Sequence, residues 1–137
     1  LIVKQFLLGY EAKQYLIAIR ELFRKNDFAG DTSVRIENGF VLNKIIDSTD
    51  VYSVDWENVI KQKITIPEYE DSEASSVGKT VKFKLSDQSF EKINELVVFL
   101  SNALNMRIYR AYAVKLFLKN YSRYYPTHFI IMFLFSL

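Results

Sequence analysis

Residues 81–104 read VKFKLSDQSFEKINELVVFLSNAL, and within this stretch the spacing of the apolar side chains changes period. Val81, Phe83 and Leu85 alternate with Lys82 and Lys84, the spacing that a strand with one buried face imposes. After Ser86 and Asp87, either of which can cap a helix, Phe90, Ile93, Val97, Leu100 and Leu104 recur on one side, with Glu91, Glu95 and Asn102 opposite. A strand that runs directly into an amphipathic helix places the chain in the α+β class.

On the C-terminal side, Asn105 is a break, and a second helix is predicted from about Arg107. It carries Lys115, Lys119 and Arg123 at steps of four, with Ile108 and Tyr112 on the same stripe. Tyr109, Ala113, Leu116, Phe117 and Tyr121 form its other side. Toward the N terminus, residues 67–78 form an acidic loop or linker containing Glu68, Glu70, Asp71 and Glu73. Before it, Ile60, Gln62, Ile64 and Ile66 alternate with Lys61, Lys63 and Thr65, which predicts a half-buried strand ending at Pro67. Asn38-Gly39, flanked by Val34 and Ile36 and by Phe40 and Leu42, predicts a hairpin. From Lys4 to Lys25, the positions Leu8, Ala12, Tyr15, Ile19 and Leu22 predict an amphipathic helix. The expected architecture is an N-terminal helix, an antiparallel sheet of about four to five strands and a C-terminal helix pair. Residues 1–137 are expected to make one domain, with the acidic segment between a helix and hairpin half and a strand-helix-helix half.

Half of the 137 residues are hydrophobic and 15% are aromatic, the composition of a packed domain. The sequence contains no cysteine, which excludes disulfides, thiol nucleophiles and cysteine-zinc sites and agrees with the cytoplasm or another reducing compartment. With one histidine, a transition-metal site would have to rest on carboxylates, and the acidic loop lacks the glycine and spacing of a calcium loop. Four glycines leave no phosphate-cradling or dinucleotide loop to be written. No metal, cofactor or catalytic residue is assigned on these grounds.

Charge is distributed unevenly. The net charge is +2, but every Asp and Glu lies at or before Glu95, whereas Arg107, Arg110, Lys115, Lys119 and Arg123 follow it. A carboxylate-free basic segment with interleaved tyrosines is suited to phosphates and unpaired bases, because ammonium and guanidinium groups release counterions and aromatic rings stack. Lys82 and Lys84, projecting from the opposite face of their strand, add to this charge. These seven residues are the candidate nucleic-acid site.

Val81 to Tyr121, a basic strand followed by two helices, resembles the ribbon-helix-helix DNA-binding proteins in outline. That resemblance implies that strands of two subunits pair and that Lys82 and Lys84 face the major groove. The sequence departs from the family in a first helix about a turn longer, in Asn105 where a glycine is usual, and in the absence of Ser or Thr at the start of the second helix. Arg123 and His128, four residues apart, resemble in spacing the pair used by RNA-cleaving proteins of the HEPN type, although Pro126 lies between them. Near the C terminus, Phe129, Ile130, Ile131, Met132, Phe133, Leu134 and Phe135 are apolar without interruption. This run is shorter than the about 20 residues that a membrane helix needs. It predicts a buried strand or a docking segment in which Phe129, Ile130, Ile131 and Phe133 meet a second copy or a protein partner.

The leading expectation is therefore a non-catalytic nucleic-acid-binding module, a DNA-binding regulator acting as a dimer. An assembly subunit using the apolar tail is the competing one, and a HEPN-like ribonuclease the third.

Overall fold

The computed structural model describes residues 1–69 and 78–124. Among them two strands and five helices follow in the order β1 (Ile2–Phe6), α1 (Tyr10–Phe28), α2 (Asn38–Asp47), α3 (Trp56–Lys61), β2 (Val81–Leu85), α4 (Asp87–Leu104) and α5 (Arg110–Ser122). The α+β class stands, but the sheet has two antiparallel strands rather than four to five.

The alternation at 81–85 forms the strand, and Ser86 starts the helix after it by accepting a hydrogen bond from the Ser89 amide at 3.0 Å. β2 pairs with β1 so that Ile2 lies opposite Leu85, Lys4 opposite Phe83 and Phe6 opposite Val81. Phe83 and Leu85 are completely buried, whereas Lys82 and Lys84 face outward beside Gln5 and Val3. The other edge of β2 is covered by α2. There the Asn43 side-chain amide donates to the Lys84 carbonyl at 3.1 Å and accepts from the Ser86 amide at 3.1 Å, taking the place of a third strand. With β1 on one edge and α2 on the other, β2 cannot pair with its copy as a ribbon-helix-helix strand does.

The hairpin expected at 34–42 is the start of α2. Val41, Leu42, Ile45 and Ile46 are buried together, a helical spacing from which alternation had picked only Leu42. Gly39 is present for closeness rather than for a turn. A Cβ there would lie 2.9 Å from the Lys84 nitrogen and nearer still to its carbonyl oxygen. Glycine is the residue that lets two backbones approach in this way.

The strand expected at 60–66 is also absent. Asp55 caps α3 by accepting from the Asn58 amide at 3.1 Å, and Trp56 and Val59 anchor that helix in the core. Residues 62–69 run on without regular secondary structure. Their alternation is real, since Ile64 and Ile66 are half-buried, but they pack over helices instead of joining a ladder. Gln14 of α1 holds this segment by donating to the Tyr69 carbonyl and accepting from its amide, both at 2.8 Å.

Two helices lie deepest. In α1 every residue from Ala12 to Ile19 is buried, and in α5 the same holds from Leu116 to Asn120. They contribute Ile19, Phe23 and Phe117 to a cluster that also includes Phe6, Leu42 and Leu96. Trp56 packs edge-on against Phe117 at 5.7 Å, and its indole donates to the Val51 carbonyl at 2.7 Å. Between α4 and α5, Asn105 takes the left-handed conformation with φ 50°, which ends the first helix as its sequence position implies.

Candidate functional site

Of the seven cations singled out in the sequence, Lys82 and Lys84 line one groove, and the other five have separate surroundings. Lys119 is buried at 8% exposure and donates to the Ile60 carbonyl at 3.0 Å, tying α5 to the end of α3. Lys115 pairs with Glu11 of α1 at 3.1 Å. Arg110 donates to the Asn94 side chain at 2.7 Å and lies over the Phe90 ring. Arg107 is exposed over the ring of Tyr109, and Arg123 donates to the Tyr124 hydroxyl at 2.9 Å. The stripe that looked like a basic surface therefore belongs mostly to a core helix. His128 and the tail residues Phe129, Ile130, Ile131 and Phe133 lie outside the described residues.

Lys82 and Lys84 stand elsewhere, on the wall of a groove of about 590 Å³. Its other wall is the start of α2, with Asn38 and Gly39, and the preceding Arg35 and Glu37. Leu16 and Ile17 of α1 form an apolar floor, and Lys79 and Thr80 close the end where β2 begins. Lys13 also lines the groove, but it is 4% exposed and already engaged within the fold.

Among the described residues, five cationic side chains thus line the groove, and the only carboxylate is Glu37. Glu37 pairs with Arg35 at 3.2 Å, with side-chain exposures of 62% and 87%. A pair so open to water is worth only about 0.2–1 kcal/mol, so Arg35 can exchange Glu37 for a better anion. Lys79, Lys82 and Lys84 are exposed. Glu37 is also the N-cap residue of α2, where its side chain makes no capping hydrogen bond. Such a surface costs self-repulsion that an incoming polyanion relieves.

The alternation 81–85 identified Lys82 and Lys84. It could not identify Arg35, which comes to the groove only because α2 docks on β2 through Gly39 and Asn43. Lys61 and Lys63, expected on the strand predicted at 60–66, are exposed but do not line the groove.

Other surfaces have a different character. Tyr52, Val98 and Phe99 are exposed around a concavity bordered by Glu91 and Glu95. Among the described residues no group of three or more His, Cys, Asp or Glu is placed to hold a metal ion, and no helix is long and apolar enough to cross a membrane. No protein-family model, curated protein or solved structure matches this chain.

Proposed function

We propose that the protein binds nucleic acid, and that the binding surface is the groove between β2 and the start of α2. The observation that carries this reading is the convergence of exposed Arg35, Lys79, Lys82 and Lys84 on one concavity whose only carboxylate among the described residues is already paired. Phosphodiesters supply the matching charge, and each neutralised phosphate releases counterions. Lys82 and Lys84 keep the role that the sequence assigned them. Arg35 and Lys79 join them in this reading, while Lys115 and Lys119 of α5 are engaged with Glu11 and the Ile60 carbonyl.

The test is a polarisation titration with a fluorescent oligothymidylate at several salt concentrations. Four phosphate contacts to a single strand give a slope of log affinity against log salt of about −3. The double variant Lys82→Glu/Lys84→Glu is expected to lose roughly a hundredfold in affinity at low salt. Both side chains point to solvent, so its circular dichroism should match the wild type. Wild-type affinity in that variant, or binding indifferent to salt, would overturn the proposal.

A further inference from the structure

The groove does not end at Arg35. A second concavity of about 350 Å³ shares Arg35, Glu37 and Asn38 with it. A third, of about 490 Å³, shares Arg20, Glu21, Arg24 and Thr32 with the second. The three adjoin one another from β2, past the segment between α1 and α2, to the C-terminal end of α1 at Lys25. Among the described residues, eight Lys and Arg side chains line this path against two carboxylates, Glu21 and Glu37.

Not all of these cations are available. Arg24 holds the turn after α1, donating to Glu21 and to the Asp31 and Val34 carbonyls. Arg20 lies 3.9 Å from Glu21. At the far end, however, Lys25 is exposed beside the third concavity, which Tyr69, half-buried against Ala18 and Leu22, also borders. The path thus has exposed positive charge at both ends and a partly neutralised middle.

Resting on the groove reading above, we infer that the ligand is an extended single strand. Its backbone runs the length of this path, with phosphates on Lys82 and Lys84 at one end and on Lys25 at the other. Two features favour a single strand over a duplex. Linked concavities are followed by a flexible chain, whereas a duplex is a stiff rod with a persistence length of about 50 nm. The lining pairs cationic side chains with apolar Leu16 and Ile17, a charged track suited to a single-stranded backbone without reading of its bases.

The experiment compares thymidine dinucleotide, tetranucleotide and dodecanucleotide with a duplex of the dodecanucleotide's length, on the full chain. Wild type, Lys25→Gln, Lys61→Gln and Lys82→Gln/Lys84→Gln are titrated. Lys61 is an exposed lysine off the path and serves as the control. Affinity and salt dependence are expected to increase with length, and the single strand should bind more tightly than the duplex. Lys25→Gln should reduce the dodecanucleotide slope by about 0.7, the share of one phosphate, and leave the dinucleotide unchanged. Affinity that levels off at the dinucleotide, a preferred duplex, or Lys25→Gln behaving like Lys61→Gln would overturn the extended path. If Lys82→Gln/Lys84→Gln still weakens every ligand in that case, the groove survives and only the path is lost. If that variant binds like wild type, the groove reading itself has failed.

Discussion

Helix α5 and the groove beside β2 both carry clustered positive charge, and they use it in opposite ways. On α5, the Lys119 ammonium is spent on a backbone carbonyl and the Lys115 ammonium on Glu11. In the groove, Lys79, Lys82 and Lys84 remain exposed, and Arg35 is held only by a solvated partner. The sequence shows the sign of a charge but not what occupies it. A lysine on a helix can bury its stem and satisfy its head locally. On a strand in which Phe83 and Leu85 are fully buried, the intervening lysines must point the other way. The period of two thus commits Lys82 and Lys84 to the surface, whereas the helical spacing of Lys115 and Lys119 commits them to nothing.

The contrast is broken most severely at the seam that builds the groove. Gly39→Val places side-chain atoms against the Lys84 backbone, and this contact cannot relax without losing the Asn43 hydrogen bonds to Lys84 and Ser86. The expected loss is about 3 kcal/mol, the upper end of the cost of overpacking a closed site. Urea unfolding with an unchanged m-value would measure it. Affinity for oligothymidylate should fall as well, because the two walls of the groove are the two sides of this seam. A variant with the wild-type midpoint and affinity would show that close approach of α2 to β2 is not what assembles the site.

Lys119→Ala sharpens the contrast from the other side. It removes a buried stem and leaves the Ile60 carbonyl without its donor, which should cost about 1–3 kcal/mol. Binding to oligothymidylate should stay at the wild-type level. The reverse pattern, unchanged stability with weakened binding, would return α5 to the role that its basic stripe first implied.

What could be read in advance follows the same division between local and long-range causes. The strand at 81–85, the Ser86 cap and the break at Asn105 are each decided within a few residues, and each is present. The segment 38–47 misled because Asn-Gly is a turn signal only when its glycine is needed for backbone conformation. Here Gly39 answers to β2, more than forty positions away in the sequence. β1 escaped for a related reason: Ile2–Phe6 is a strand because β2 pairs with it, and its five residues carry little signal alone. One clue to the burial of α5 was present. Ile108 and Tyr112 share the cationic stripe while Ala113, Leu116 and Phe117 line the other side, and a helix that is apolar on both sides is a core helix. Half of the groove was legible as Lys82 and Lys84. Arg35 and Lys79 needed the docked helix.

The mildest test concerns the tie between α1 and α5. Glu11 accepts from the Tyr15 hydroxyl and lies 3.1 Å from the Lys115 ammonium. Burial pushes its carboxyl up, but the Tyr15 hydroxyl and Lys115 outweigh that effect and hold it below the ordinary value of 4.5. A carboxyl whose value is lowered by folding adds stability above its unfolded value, and this is lost as the pH falls through the folded one. Glu11→Gln keeps an acceptor for Tyr15 and removes only the charge. With the pair partly exposed to water, the variant should be less stable by about 0.2–1 kcal/mol at neutral pH. The difference in melting temperature should close as the pH falls through the lowered value of the folded carboxyl, where the wild-type carboxylate is itself protonated. Binding to oligothymidylate should not change at any pH in this range. A gap that persists or widens in acid would mean that the Glu11 charge does not join the two helices. Lys115 would then count as a cation free for a ligand, and the distinction between α5 and the groove would rest on Lys119 alone.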